Sequence, residues 1–508
     1  MAQVRTGPRL RPIRWHPRRR KRLSRAAGVP LLLFVGTLFL QAAWILTLPP
    51  FRGTDEFDHA YRAAAVADGQ WRSPGVAAAH GRGQLVIVPR DLVDAAHPVC
   101  ASYTYTGRDN CNPVADVGRG RVQVASAAAS YNPLFYWVIG TPARPFHGAA
   151  SLYVMRIVAG LLCAVLLALA GWVTTLWSRT RWPLVAMVAA ATPVMLFSLS
   201  VAAPNGVEMC AAMTVWAALL GLHRQASRES AVPALLGSAT VGALVLVTLR
   251  SIGPVWLALI VATVAVSLGT RRLVDLLRCN AVVTATCAGL VLLGTLAAVA
   301  WTRIAATNAL EAHPTNAPNR LTAALGQLPL WVLQGIAAFP RRTNAAPAIV
   351  YPLVGLALAT LVVAGYAAAG GRLRVAMLLT VGVSVAVPLV LTIATIRETG
   401  AVWQGRYGLP YFIGLPLMAG VSLDRAGPRH GAVAPALCAG WLALATADVV
   451  SVLHVLGGEA RTSPLAGSSQ WLRAPAPVVA VLVVVGLAAW ALACRGAAER
   501  AERPPYVR

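Results

Sequence analysis

Charge is what this sequence has least of. Asp, Glu, Lys and Arg together make up 12% of its 508 residues, about half of what a soluble protein carries. Hydrophobic residues make up 57%, and mean hydropathy is +0.63. That balance excludes a chain folded in water alone and calls for an apolar solvent. Acid is scarcer than base, with 18 Asp and Glu against 44 Lys and Arg and a net charge of +26. Lysine occurs once, at Lys21. On a soluble protein such an excess would point to nucleic acid. Here the basic residues sit in short clusters between apolar runs, as the positive-inside rule describes, so no nucleic-acid partner is expected. Arginine in place of lysine, with much Ala, Gly, Val and Leu, fits the coding bias of a GC-rich bacterial genome. The sequence also lacks a CxxC pair, a P-loop, GxSxG, HExxH and a dinucleotide fingerprint. No internal repeat is clear enough to use.

Cysteine is sparse, at eight. Six lie in or beside apolar runs and read as small buried hydrophobes. Cys100 and Cys111 instead bracket ten residues of a polar segment, CASYTYTGRDNC. If that segment is extracytoplasmic, a disulfide is allowed and expected; the alternative is two free thiols.

What is present is a series of apolar runs. The first 28 residues hold ten Lys/Arg and no acid and read as a cytoplasmic tail, 1–28. The run 29–48 follows, long enough to cross a bilayer core of about 20 residues. It ends in LTLPPF rather than at a small-residue cleavage site, so an uncleaved anchor is expected. Further spans are expected near 151–177, 184–203, 207–222, 232–249, 253–270, 279–302, 346–369, 375–395, 407–423, 432–455 and 475–494, twelve in all with the first. The fold class is therefore an all-α polytopic membrane domain over 29–494, with a cytoplasmic tail at 495–508. The connections placed in the cytoplasm, with the two termini, hold 25 of the 44 Lys/Arg, whereas PNGVE, RSIGP and RETGAVWQGR on the other side hold few. Two outer segments are long, 49–150 and 303–345. LTAALGQLPLWVLQGIAAF in the second and YNPLFYWVIG in the first read as short interfacial helices rather than spans.

Because acids are rare, their places inform. Eight of the 18 fall in the first outer loop, four of them close after the first span in PPFRGTDEFDHAYRAAAVADGQW. A helix beginning after PPFRGT puts Asp55, Asp58 or His59, and Arg62 on one face. One reading is a catalytic cluster just above the membrane. Another is that Thr54 or Asp55 caps the helix, with acids favoured in its first turn. A third is a solvated surface. The segment VWQGRYGLPY likewise places Gln404, Arg406 and Tyr407 at the outer end of a span. There an Arg binds a lipid phosphate in a bidentate way or anchors the chain at the interface. Arg341, with Arg342, is a weaker phosphate candidate. Among other ionisable residues, Glu208 reads as exposed after PNG. Asp448 lies deep in its span and should be buried with a partner.

These motifs together resemble a bacterial membrane family known as domain-of-unknown-function family 2142. Its segment after the first span reads roughly P-P-x-x-x-x-D-E-x-x-H-x-x-R-A and then a Gly. Asp55, Glu56, His59, Arg62, Ala63 and Gly69 match it. Tyr131, Asn132, Pro133 and Tyr136 are similar to its N/P-P-x-x-Y element, and LQGIAAFPRRTNAAP to its G-x-F…P element, with PRR replacing the usual aromatics. WQGRYGLP closely resembles its Q-G-R-Y motif. The resemblance spans about residues 30–425. It departs at Asn205, where many relatives carry an acid.

That family is similar to the GT-C superfamily of glycosyltransferases, multi-span enzymes that take sugars from polyprenyl-phosphate carriers. The resemblance implies transfer of a sugar from such a lipid to an envelope glycan or lipid acceptor at the outer face of a bacterial plasma membrane. It implies Asp55 as base, Glu56 as orienting group or metal ligand, and Arg406 as phosphate binder. His59, Arg62, Tyr131, Asn132, Gln404, Tyr407 and Arg341 would support substrate. Adjacent acids such as Asp55 and Glu56 suit Mg²⁺ or Mn²⁺, though nothing in the sequence requires either. The alternatives are a flippase or transporter, and a polymerase, of envelope lipid-linked polysaccharide. A transporter should show repeats and a mid-membrane polar site, whereas the polar groups here gather towards one face.

The arginine asymmetry predicts both termini in the cytoplasm and 49–150 outside. A cysteine introduced at Ala78 should react with an impermeant maleimide in intact cells. Reaction only after the cytoplasmic side is opened would reverse the topology.

Overall fold

A computed structural model describes residues 18–223, 231–305, 319–339, 345–427 and 433–501. The chain runs through α1 (Arg18–Thr47) into a folded first loop. The loop holds α2 (Glu56–Ala67), β1 (Gln84–Pro89), α3 (Arg90–Cys100), α4 (Arg108–Cys111), β2 (Ala115–Gly118), β3 (Arg121–Ser126) and α5 (Pro133–Gly140). Next come α6 (Gly148–Trp177), α7 (Trp182–Ala189), α8 (Pro193–Ser198), α9 (Pro204–Gly221), α10 (Val232–Leu249), α11 (Gly253–Leu268), α12 (Thr270–Cys279) and α13 (Ala281–Ile304). The chain closes with α14 (Arg320–Leu325), α15 (Leu328–Ile336), α16 (Val350–Ala368), α17 (Gly371–Thr399), α18 (Leu409–Phe412), α19 (Gly414–Ala426), α20 (Val433–Thr462) and α21 (Ala476–Ala501).

Among the described residues, eight helices are long and apolar enough to cross a membrane: α1, α6, α10, α13, α16, α17, α20 and α21. The remaining expected spans fall on shorter, less apolar or interrupted pieces: α11, α9, and the pairs α7 with α8 and α18 with α19. Prolines account for the interruptions. Pro193 starts α8 after the break at 190–192, and Pro410 and Pro416 sit in the α18–α19 pair, because Pro has no N–H for the helical ladder. Polar side chains inside the bundle bond to neighbouring backbone: Gln41 Nε2 of α1 donates to the Gly160 carbonyl of α6 at 2.9 Å. Asp448 is only half as expected. It is buried at 4% exposure, yet its Oδ1 has no hydrogen-bond partner among the described residues.

The first loop has more structure than helix periodicity suggests. Its three antiparallel strands lie in the order β1-β3-β2, with Gln84 opposite Ser126 and Pro89 opposite Arg121. Val86, Val88, Val122 and Val124 are buried on one face, the alternation that sheet geometry imposes. Asp58 secures α2 to the end of β3, its Oδ1 accepting from the Ala127 N–H at 2.7 Å and its carbonyl from Ser126 Oγ at 2.8 Å. Cys100 and Cys111 are joined in a disulfide that ties α3 to α4. A second long-range clamp reaches the far end of the chain: Arg52 Nε donates to both carboxylate oxygens of Glu459 in α20, at 2.9 and 2.7 Å, with both side chains buried.

Removing the disulfide with Cys100→Ser and Cys111→Ser should cost the loop roughly 2–3 kcal/mol in the chain-entropy account. Denaturant unfolding of the first loop measures the cost, and mass spectrometry of unreduced protein should find the linked peptide. Two free thiols in protein taken from the membrane would remove the basis for it.

Candidate active site

The turn between α1 and α2 is built on glycine and on strain. A Cβ on Gly53 would run into Val201 and the Glu56 carboxylate. Phe51 and Asp55 on either side adopt left-handed φ values of 62° and 54°. An Asp tolerates that region, but a bulky Phe does not without cost, of order 1–3 kcal/mol, and such strain collects at functional sites. Asp55 occupies the N-cap position of α2, but its side chain makes no capping hydrogen bond. It stays half-buried at the head of the turn. The capping reading of Asp55 therefore has no bond to rest on.

Glu56 goes the other way, into the protein. Its Oε1 accepts from Arg156 Nε at 2.8 Å and the Ala202 N–H at 3.1 Å; its Oε2 accepts from Arg156 Nη2 at 2.6 Å and the Gly53 N–H at 3.1 Å. Both side chains are fully buried. Arg156 also donates to the carbonyls of Leu48 and Pro49 at the end of α1. The expectation of Glu56 as catalytic group or metal ligand is corrected on this ground, since neither oxygen is left for a substrate or cation. Among the described residues, no group of three or more His, Cys, Asp and Glu is arranged to hold a metal ion. The paired-acid donor set for Mg²⁺ or Mn²⁺ does not fit, because the Glu56 half of it is committed to Arg156.

Arg62 is corrected too. Its guanidinium does not pair with Asp55. It donates to the carbonyls of Gln70, Trp71 and Tyr131 at 2.7–3.0 Å and so fastens α2 to the segment before α5. Burial lowers it to about 10. His59 Nδ1 sits 2.8 Å from the Tyr136 hydroxyl, with the two rings stacked. Burial pushes the imidazole down to about 4; Asp55 opposes that shift, while Arg250 and Arg406 add to it. His59 is thus a neutral hydrogen-bonding group at physiological pH, felt by three charges around it. Asn132 accepts from the Leu134 N–H at 3.1 Å and caps α5. Arg341 lies outside the described residues.

The 404–407 segment meets the turn from the far end of the sequence. Arg406 Nη1 donates to Thr54 Oγ1 at 2.9 Å across 352 positions. Its position is set by α15: the Gly405 N–H donates to Gln334 Oε1 at 2.9 Å, and a Cβ on Gly405 would strike the Trp331 carbonyl. The short helix expected at the interface therefore has an inward face, Trp331 and Gln334, that holds this segment, and an outward face with Leu330, Val332 and Leu333 exposed. Gln404 is buried and its Oε1 has no partner among the described residues.

Beside the two segments lies a cavity of about 320 Å³, lined by Tyr131, Asn132, Arg250, Trp301, Trp403 and Tyr407 among others. Arg250 is the residue that spacing missed. It follows α10 in RSIGP, an outer connection poor in charge, where a lone arginine at the edge of an apolar run is its one sequence signal. Its Nη1 donates to Asn205 Oδ1 at 2.9 Å, stands 3.8 Å from Glu208 Oε2, and the guanidinium lies 4.4 Å over the Tyr407 ring. Glu208, expected exposed, is buried at 2%.

Spanning helices, a folded loop on one end of them and polar groups converging beneath that loop define a multi-pass membrane protein with a candidate site at its loop-bearing end. The chain belongs to the family described as predicted membrane protein DUF2142, whose model matches residues 38–415 and so takes in every group just described. No curated protein matches it. Among solved structures, the chain is similar to ArnT from Cupriavidus metallidurans, in its form bound to undecaprenyl phosphate (16% identity, TM-score 0.44) and its apo form (15%, 0.41). Each alignment covers 92% of this chain and 76% of ArnT.

Glu56→Gln should destabilise the protein by about 3–5 kcal/mol, since it strands a buried guanidinium. Glu56→Met combined with Arg156→Met should cost less than the single change, because no buried charge remains. Thermal unfolding in detergent measures both. Wild-type stability in Glu56→Gln would free that carboxylate for another role.

Proposed function

We propose that the protein is a membrane glycosyltransferase that takes a sugar from a polyprenyl-phosphate carrier and gives it to a hydroxyl of an envelope glycan or lipid. The observation that carries this reading is the meeting of the Asp55 turn with the Arg406 segment, beside a cavity lined by aromatic rings and one guanidinium. The family resemblance suggests the donor class, and the positive-inside asymmetry supports a site on the face of the membrane away from the cytoplasm, in our reading the outer face of a bacterial plasma membrane.

The chemistry needs little. The acceptor hydroxyl oxygen forms a bond to the anomeric carbon. The bond from that carbon to the phosphate oxygen breaks, and the lipid phosphate departs with the electron pair. The hydroxyl proton goes to Asp55, the one carboxylate at the turn not locked into the protein. Arginines beside the leaving oxygens stabilise the charge that develops there, where an enclosed site makes such contacts strongest. The neutral His59–Tyr136 pair and Tyr131 offer hydrogen bonds and a flat surface to the sugar. No metal is assigned a step.

Asp55→Asn tests the base. Asn accepts the left-handed conformation as readily as Asp, and no cap bond is lost, so the protein should insert and fold normally. Transfer from a polyprenyl-phosphate sugar should fall by about 10²–10⁴-fold, the usual contribution of a general base. Full activity in Asp55→Asn would leave this site without a base and favour carriage of the lipid over transfer from it.

A further inference from the structure

Two arginines, the buried Arg156 and the half-buried Arg250, stand at the same end of the helices in opposite states. Arg156 is spent: two of its nitrogens meet both Glu56 oxygens at 2.6 and 2.8 Å, and two of them reach backbone carbonyls. Arg250 is held chiefly by neutral groups. Asn205 takes one of its five N–H donors and the hydroxyls of Tyr131 and Tyr407 also bond to it, while Glu208, the nearby acid, stands off at 3.8 Å, beyond hydrogen-bond length. The other Glu208 oxygen, Oε1, is buried without a partner among the described residues.

We propose that Arg250 is the group that grips the head of a lipid monophosphate, and that Glu208 is the resting counter-charge the phosphate displaces. The proposal rests on the transferase reading above and names the residue that holds its donor. Three observations favour Arg250 over Arg406. Arg250 lines the cavity, whereas Arg406 is not among the lining residues and is bonded to Thr54. A cation left alone in such a place is costly, so a nearby acid at less than full engagement suits a site that alternates between empty and anion-bound. The walls also match an amphiphile. Val247, Leu249, Ile252 and Ala298 offer apolar contact, and Trp301 and Trp403 close the sides. The volume is at the lower end of ligand pockets, roughly 300–1,000 Å³, room for a head group and the first isoprene units. The rest of a long tail has the flank of α13 to follow, a span in which Ala298 alone is buried. Trp301 Nε1 donates to the Ser130 carbonyl at 3.1 Å, which joins that span to the cavity roof.

The test uses the full-length protein in lipid nanodiscs, with binding read as the change in intrinsic tryptophan fluorescence, to which Trp301 and Trp403 at the cavity contribute among 15 tryptophans. The probes are a long-chain polyprenyl phosphate, the matching polyprenol and inorganic phosphate. Wild type should bind the polyprenyl phosphate saturably and the other two at least about tenfold more weakly, since each lacks half of the ligand. Arg250→Ala should weaken polyprenyl phosphate binding by roughly 10- to 100-fold, with Arg250→Lys between the two. Glu208→Gln removes the competing charge at constant shape and should tighten binding a few-fold, a direction that a purely structural role would not produce. If Arg250→Ala fails to fold, the Glu208→Gln result decides alone, and unchanged or weaker binding overturns the proposal. Undiminished binding in a folded Arg250→Ala overturns it while leaving the transferase reading intact. No binding of polyprenyl phosphate by wild type overturns both. Inorganic phosphate binding as well as the lipid would make this a free-phosphate site and overturn the lipid assignment.

Discussion

The structure turns on one ion pair, Glu56 with Arg156. Four pieces of chain converge on it: the end of α1 through the Leu48 and Pro49 carbonyls, the turn through Gly53, α6 through Arg156 itself, and the segment before α9 through Ala202. Removing two charges from water is costly, and their attraction offsets that cost only when every remaining donor and acceptor is satisfied. Here nearly all are, which makes the junction between loop and bundle directional. The turn can then hold Phe51 in a strained conformation and Asp55 in a left-handed one, because its neighbours over-determine them.

With that junction in place, the arginines divide by what surrounds them. Arg52 clamps the turn to α20, Arg62 ties α2 to the Tyr131 segment, and Arg156 locks the helix ends. Arg406 braces Thr54 from α15's side of the site, and Arg250 faces the cavity. The same side chain thus serves as rivet in three places, as brace in a fourth and as cavity wall in a fifth. Planarity and a fixed fork of donors suit it to the first of these.

Much of this was legible in the sequence. Apolar runs of about 20 residues are a direct signature of spans, and each expected span falls on a helix or a helix pair. The turn motif and the Gln404–Tyr407 segment were also readable, because rare acids and aromatics in an apolar chain stand out. What spacing could not reveal was the direction of burial. Periodicity puts Asp55, Asp58 or His59, and Arg62 on one face of α2. It does not say that β3 would meet Asp58 or that backbone carbonyls would meet Arg62. Glu56 looked like half of an acid pair because its partner, Arg156, lies 100 positions away. The small sheet was hidden because its strands are four to six residues long, too short for a period of two to separate from loop. Arg250 was hidden because one arginine at a helix end is ordinary until Tyr407 and Glu208 are brought to it from elsewhere.

The clamp between Arg52 and Glu459 adds a matter of timing. Its two halves lie 407 positions apart. At about 5–20 residues per second, Arg52 is added to the chain roughly 20–80 seconds before Glu459 exists. For that interval the turn carries a cation whose partner has not been made, while span after span enters the membrane behind it. The clamp on the turn therefore forms only once α20 has been made. A nascent chain stopped short of α20 would hold every residue of the candidate site and still lack the bond that closes the turn over the bundle. Closure of that clamp is in this sense a late event of synthesis, set by a residue near the other end of the chain.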